Sequence, residues 1–372
     1  LAAQQFQLSP NAEISVLTIG PGASLNDSFG HNAFRISDKV QGLDLVYGYG
    51  EYDFDAPNFY LKFAQGKLNY LISRHNFSQF YDFYARSNRT IKEQVLNLPT
   101  SEKQDLFNYL ENNYKPENRR YLYDFFYDNC ATRIRDVAQT STSNKIKFNN
   151  PADFEVQTFR KLIHEHVGLN SWGSFGIDIA LGSIIDREAT PEQHMFLPKY
   201  IHDFFAAATR DSKDLVKSSS VIYQKQNIED SSNFLLSPLF IMGILGLIIL
   251  FITYKDYKNN ERSVWLDILL FALTGLVGIL LIFLWYGTDH TATGQNYNLL
   301  WALPLNVFMI GQLLRKQPKN WFRSYLKFLI IMLCLMTLHW IIGVQIFAIG
   351  LIPFIIALAL RYFYLLRFFK QK

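Results

Sequence analysis

Cys130 and His31 are the residue types in this chain best suited to act together as a nucleophile and a base. Cys130 lies in Asp128-Asn129-Cys130-Ala131-Thr132, and the residues after it, through Val137 and Ala138, read as a helix. Asp128 or Asn129 can cap that helix, because a short side-chain acceptor satisfies an orphan N–H of the first turn. A thiol at a helix start feels the positive end of the peptide dipoles, which favours the thiolate. About a hundred residues upstream, Ser28-Phe29-Gly30-His31-Asn32-Ala33-Phe34-Arg35 places a histidine at the start of a strand. A thiol hydrolase or acyltransferase needs a nucleophile, a base and donors for an oxyanion. Cys130, His31 and the amides at the helix start supply these. The alternative for Cys130 is a buried, inert cysteine.

Strand alternation puts Asn32, Phe34 and Ile36 on one face and His31, Ala33 and Arg35 on the other. Asn32 therefore points away from the base. Arg35 shares its face and can contact a lipid phosphate or a substrate carbonyl, or form a structural salt bridge. His164 and His166 stand two apart on a helix and read as solvent-exposed. No cluster has metal-ligand spacing, and the chemistry calls for no cofactor.

The elements that position these residues fall in two regions of the 372-residue chain. Residues 13–210 are polar and aromatic and read as one α+β domain, with 1–12 before it and a polar linker, 211–232, after it. Strands are expected at 13–19, 31–36, Asp44 to Tyr49 and near Leu68 to Ser73. The stretch Pro57 to Tyr70 is aromatic and helical before that last strand. Ser101 to Tyr114 reads as a helix with a Ser101/Gln104 capping box. Residues 139–152 read as a loop. The aromatic richness of 52–84 is that of a core, and would also suit a groove for acyl chains.

Residues 233–372 contain five stretches long enough to cross a hydrocarbon core, roughly 234–254, 264–286, 297–314, 324–343 and 345–364. The third is short and contains Pro304 and Asn306; a proline is tolerated in a membrane helix when neighbours cover the freed carbonyl. Lys255, Lys258 and Arg262, then Arg315, Lys316, Lys319 and Arg323, then Arg367, Lys370 and Lys372 occupy alternate loops and the tail. Gly287 to Asn296 and the turn near Gly343 carry no Lys or Arg. Positive charges stay inside, so the first domain is expected outside the cytoplasm and the C-terminus within it. His290 falls in the outer loop, on the side of Cys130, as a headgroup contact or a solvated loop residue. His339 reads as an interfacial polar residue and Asp267 as one that reaches headgroup water. The net charge of +4 is spread out and leaves no nucleic-acid footprint. Leu1-Ala2-Ala3-Gln4-Gln5 resembles the remnant of a processed secretory signal. Cys334 lies in the fourth span, out of reach of Cys130, so Cys130 is expected as an unpaired thiol in an oxidising compartment.

The order histidine-strand before cysteine-helix, with Asn129-Cys130, resembles circularly permuted papain-like domains of the NlpC and lecithin:retinol acyltransferase kind. The chain is more closely similar to the Lnb family of bacterial lipoprotein N-acyltransferases. The matching residues are Ser28 to Ile36, Tyr47-Gly48-Tyr49-Gly50, Asp53-Phe54, Pro57-Asn58-Phe59, Asp128 to Arg133, Trp172-Gly173, Phe175 to Asp178 and Phe196-Leu197-Pro198. In the membrane region Asp289-His290 and Asn296 to Leu300 also match. The resemblance implies a permuted papain-like periplasmic domain on an all-α five-helix transmembrane domain of the inner membrane. It implies acylation of the α-amine of the lipid-modified N-terminal cysteine of lipoproteins. The acyl donor is a phospholipid or the acceptor's own diacylglyceryl group. In permuted papain-like domains the group that orients the histidine comes from the following strand, which here offers Tyr47 or Tyr49 and no His, Asn or Gln. Two alternatives compete: a periplasmic cysteine hydrolase acting on cell-wall peptides or phospholipids with the same pair, and an inactive receptor or assembly factor.

Overall fold

The sheet of the first region is wider than the sequence pattern suggests, because both of its faces are covered. In the computed structural model, which describes residues 6–226 and 233–371, seven strands form one sheet. They are β1 (Glu13–Ile19), β2 (His31–Asp38), β3 (Leu43–Tyr52), β4 (Asn69–Asn76), β5 (Ile91–Leu96), β6 (Arg120–Leu122) and β7 (Val216–Tyr223). Their order is β7-β5-β1-β2-β3-β4-β6, all antiparallel. Helices α1 (Phe59–Ala64), α2 (Phe77–Arg86), α3 (Thr100–Tyr114), α4 (Cys130–Ser141) and α5 (Pro198–Ala207) accompany it. α2 sends Phe77, Tyr81 and Tyr84 onto a core of Leu17, Ile19, Ala33, Val46 and Ile91. On the other face, Gln94 of β5 donates to the His202 carbonyl of α5 at 3.0 Å. A strand covered on both sides is buried continuously, as β1 is from Ile14 to Ile19, so period-two alternation fades.

Three strands of this sheet, β5, β6 and β7, escaped the sequence reading. β5 carries Lys92-Glu93-Gln94, and β7 carries Lys217 and three serines, so neither has an apolar pattern. β7 falls within the stretch read as a linker; residues 227–232 of that stretch lie outside the described residues, as does the N-terminal remnant 1–5. The expected capping box of α3 is absent. Pro99 is its N-cap residue, and Gln104 instead accepts from the Leu8 amide and donates to the Phe6 carbonyl, holding the N-terminal segment.

By contacts the chain divides into two units. Described residues from 6–157 and 189–226 form one, and those from 158–188 and 233–371 form the other. Residues 158–188 thus belong with the membrane helices, although they lie within the stretch read as one domain. Arg160 explains part of this: it is 1 % exposed and pairs with Asp178 and Asp186, each at 2.8 Å. His164 shares Asp178 at 2.9 Å, and His166 meets the Leu162 carbonyl at 3.0 Å. Both histidines are half-buried, which corrects the solvent-exposed reading. Asn298 donates to the Asp178 carbonyl at 2.8 Å, and Asn296 to that of Ile179 at 2.7 Å.

The second unit has four helices long and apolar enough to cross a membrane: α6 (Pro238–Asn259), α7 (Val264–Tyr286), α9 (Asn320–Ile341) and α10, assigned over Leu351–Gln371. The third expected span is not such a helix. It is a 3₁₀ turn, Tyr297–Leu300, followed after Pro304 by the nine-residue α8 (Leu305–Leu313), about 14 Å long at 1.5 Å per residue. The break is built in. Asn298 spends its side chain on Asp178 and Trp301, and proline cannot donate into a preceding turn. Two glycines of α7 admit the broken segment, since a Cβ on Gly278 would lie 2.1 Å from the Ala302 carbonyl oxygen. Asn306 of α8 donates to Thr274 at 2.8 Å and accepts from Tyr325 at 2.5 Å. Asp267 does not reach for headgroup water: it is fully buried and binds Arg361 at 2.7 Å. His339 donates from Nδ1 to the Leu335 carbonyl at 2.7 Å and packs on Tyr297.

Candidate functional site

Asn129 is the residue that fixes the start of α4. Its side-chain oxygen accepts from the Ala131 and Thr132 amides at 2.8 and 3.0 Å, while the Thr132 hydroxyl accepts from the Asn129 amide. That is a capping box. Its side-chain amide donates to the Phe125 carbonyl at 2.6 Å and the Phe196 carbonyl at 2.8 Å. The helix start is thereby tied to the segment before it and to Phe196-Leu197-Pro198. Asp128, the other capping candidate, instead pairs with Arg133.

His31 opens β2, opposite Ile19 at the end of β1. Gly30 precedes it with φ +82°, and a Cβ there would lie 2.5 Å from the Ile19 carbonyl oxygen, so the chain can turn into β2 only at a glycine. The imidazole lies along β3: a Cβ on Gly48 would be 3.1 Å from His31 Nε2 and 3.3 Å from the Ser73 hydroxyl. The Tyr84 ring stacks nearby, 6.3 Å away. Cys130 meets β3 two residues further on. There Gly50, at φ +97°, sits in a register slip between Tyr49 and Glu51, and a Cβ on it would lie 3.8 Å from Cys130 Cβ. The Asn32 backbone amide favours the ionised form of the Cys130 thiol. Gly48 beside His31 and Gly50 beside Cys130 stand two residues apart on β3.

The electrostatics run against the expected thiolate. Desolvation pushes the Cys130 thiol up to about 11, outweighing the amides of Asn32, Ala131 and Cys130 and the Arg89 charge, which lower it. Desolvation also brings His31 down to about 4, with Arg89 adding to the shift and Asp27 opposing it. At neutral pH the two groups rest as thiol and neutral imidazole, a finding the helix-dipole argument alone would miss. A histidine held below its usual value of 6.5 stabilises the fold above that pH and loses its contribution as pH falls through 4. The loss is up to roughly 3 kcal/mol. Thermal melts are expected to show the wild type losing more stability from pH 6.5 to pH 4 than His31→Asn does; equal losses would contradict it.

Other expected site residues stand elsewhere. The Tyr47 hydroxyl donates to Glu111 and that of Tyr49 to Asn113 at 2.6 Å, both on α3, so neither is spent on His31. Arg35 is a structural ion pair: it binds both oxygens of Asp44 at 2.8 Å and Glu93 at 3.1 Å, and stacks 3.4 Å over Phe77. Its shared face with His31 is real, but its donors are committed. Asn32 does turn its side chain away, to the Leu17 carbonyl and the Thr18 hydroxyl. His290 belongs to the second unit, in the segment after α7.

The sequence reading missed a group around the pair. Arg89 is 4 % exposed, donates from Nε to the Gly20 carbonyl at 2.9 Å and from Nη1 to Asp27 at 2.8 Å, and lies over the Tyr84 ring. Tyr121 and Tyr123 flank Gly50 beside Cys130. The signal for Arg89 was faint: a lone arginine at a helix-to-strand turn.

Two domain families match the chain. The Lnb N-terminal periplasmic domain covers residues 3–165, which include His31, Asn129 and Cys130, and the Lnb transmembrane domain covers residues 229–372. No curated protein and no solved structure matches it. With a periplasmic domain carrying the histidine and the capped cysteine, and a transmembrane domain of apolar helices after it, the chain is a membrane protein and belongs to the Lnb family.

Proposed function

We propose that this protein is a lipoprotein N-acyltransferase that carries its acyl group on Cys130. The observation that bears most weight is that Cys130, at a capped helix start, packs on Gly50 of β3 while His31 Nε2 packs on Gly48, two residues away on the same strand. In this reading the sheet unit is a permuted papain-like domain and His31 is the base.

Acylation begins when the neutral imidazole takes the thiol proton as sulfur attacks the ester carbonyl carbon of a glycerolipid. The C–S bond forms and the carbonyl electrons move to oxygen. Collapse of that intermediate breaks the C–O bond, and the departing lysolipid alkoxide takes the proton from His31. The acceptor's α-amine then attacks the thioester, His31 removes its proton, and the thiolate leaves and is reprotonated. A thioester suits amine attack, and a desolvated site limits competing water. The long apolar helices hold the domain at the bilayer, where both lipidated partners diffuse in two dimensions. With residues 297–314 crossing as a broken element, the number of crossings is odd, which leaves the C-terminus in the cytoplasm and the enzyme in the inner membrane.

The test is mass spectrometry of the N-terminal peptide of an abundant lipoprotein in the native host, comparing wild type with Cys130→Ala. The amide-linked acyl group is expected to disappear and the free amine to accumulate. An unchanged peptide would direct attention to the hydrolase alternative, with cell-wall peptides and free phospholipids as substrates.

A further inference from the structure

The cap on α4 leaves the site short of one donor. An acyl transfer passes through an oxyanion, and such a site usually aims two donors at it. At the start of α4, the Asn129 side chain already engages the Ala131 and Thr132 amides. The Cys130 amide remains as a local donor, and a side chain can supply a second.

Arg89 offers one. Its guanidinium is almost fully buried, and two of its nitrogens are pinned, Nε to the Gly20 carbonyl and Nη1 to Asp27. Nη2 is buried and has no hydrogen-bond partner. Native proteins rarely leave such a donor unpaired. The group lies 4.9 Å over the Tyr84 ring, and that same ring stacks on His31. Its charge is felt at both His31 and Cys130. Asp27 balances that charge, so what Arg89 has left to give is a directed N–H, suited to a single carbonyl oxygen. A fixed fork held at two nitrogens keeps the third in place without further ordering.

We propose that Arg89 Nη2 donates to the carbonyl oxygen of the ester that Cys130 attacks, forming with the Cys130 amide the oxyanion site of the enzyme. The proposal rests on the reading that Cys130 is acylated. The oxygen gains negative charge as the C–S bond forms, and the hydrogen bond strengthens in the transition state. Arg89 is then a catalytic residue, and its loss lowers kcat far more than it raises KM.

The experiment compares two reactions of Cys130 in the purified full-length protein in detergent. p-Nitrophenyl octanoate acylates the thiol through an oxyanion. Methyl methanethiosulfonate modifies the same thiol with no carbonyl in the reaction. Arg89→Lys keeps the charge and loses the fork. Acylation, read as the mass adduct on Cys130, is expected to slow about 100-fold or more, with the thiosulfonate rate within about threefold of wild type. Equal slowing of both reactions, or no slowing of either, overturns the proposal. If Arg89→Lys fails to melt cooperatively, Arg89→Gln is judged by the same two rates. Wild-type protein that releases nitrophenolate without an adduct on Cys130 sinks the acyl-enzyme reading itself, and this proposal with it. A clear adduct with unaltered host lipoproteins instead leaves Arg89 in place and removes only the lipoprotein substrate.

Discussion

Cys130→Ser is expected to lower transfer of an acyl chain onto a synthetic diacylglyceryl lipopeptide by about four to six orders of magnitude, the scale seen when a nucleophile is removed from a catalytic unit. The reason lies in the resting protonation states. With the thiol near 11 and the imidazole near 4, the resting pair is neutral and moving the proton before substrate arrives is uphill. Deprotonation is affordable only when it is coupled to attack on a carbonyl whose developing charge the site can hold. A serine hydroxyl is a much weaker acid than a thiol and leaves the coupled step far higher. Serine also fits the position sterically, so a loss of activity with an unchanged melting curve would isolate the chemistry from the fold. A serine variant keeping more than about a hundredth of the wild-type rate would show that the acyl group does not pass through this atom.

The second large effect belongs to stability. Arg361 of α10 is completely buried, with Asp267 and Asp256 each at 2.7 Å and Thr253 at 3.4 Å. Replacing it by Met keeps the stem's volume and strands two buried carboxylates. Breaking a buried ion pair from one side costs about 3–5 kcal/mol. Thermal unfolding in detergent is expected to shift down by about 10 °C or more, and Arg361→Met combined with Asp267→Asn should recover part of the loss, because one orphaned charge is gone. A single variant that melts with the wild type would mean that the bundle does not depend on this group.

The candidate pair was legible because its signals are local. A short polar residue ahead of a cysteine and a helical run gives a capped thiol, and Gly30 ahead of a short alternating stretch gives a histidine at a strand start. β1 was read to the residue. What stayed hidden depends on pairing across the chain. β5 and β7 are strands because each satisfies the other's backbone, not because their side chains alternate. Tyr47 and Tyr49 stood in the right strand, but Glu111 and Asn113 of α3 decide where their hydroxyls go, and nothing near them in sequence says so. The same holds for Asp267, whose partner is 94 residues away. Hydropathy found the third membrane segment but not its break, since Leu, Trp and Ala remain apolar whether or not Pro304 interrupts the helix. The sign of the thiol's shift was missed because a helix start is visible in sequence and desolvation is not.

The protonation state of the resting site has a meaning for the life of the protein outside the cytoplasm. Peroxides and disulfides react with the thiolate, not the thiol. At a value near 11 about one Cys130 in ten thousand is ionised at pH 7. An unpaired cysteine in an oxidising compartment would otherwise be consumed by sulfenic acid formation or by capture into mixed disulfides. On the proposed acyl-enzyme reading, the idle protein is chemically quiet, and the nucleophile comes into being only in the presence of an acyl group to receive it.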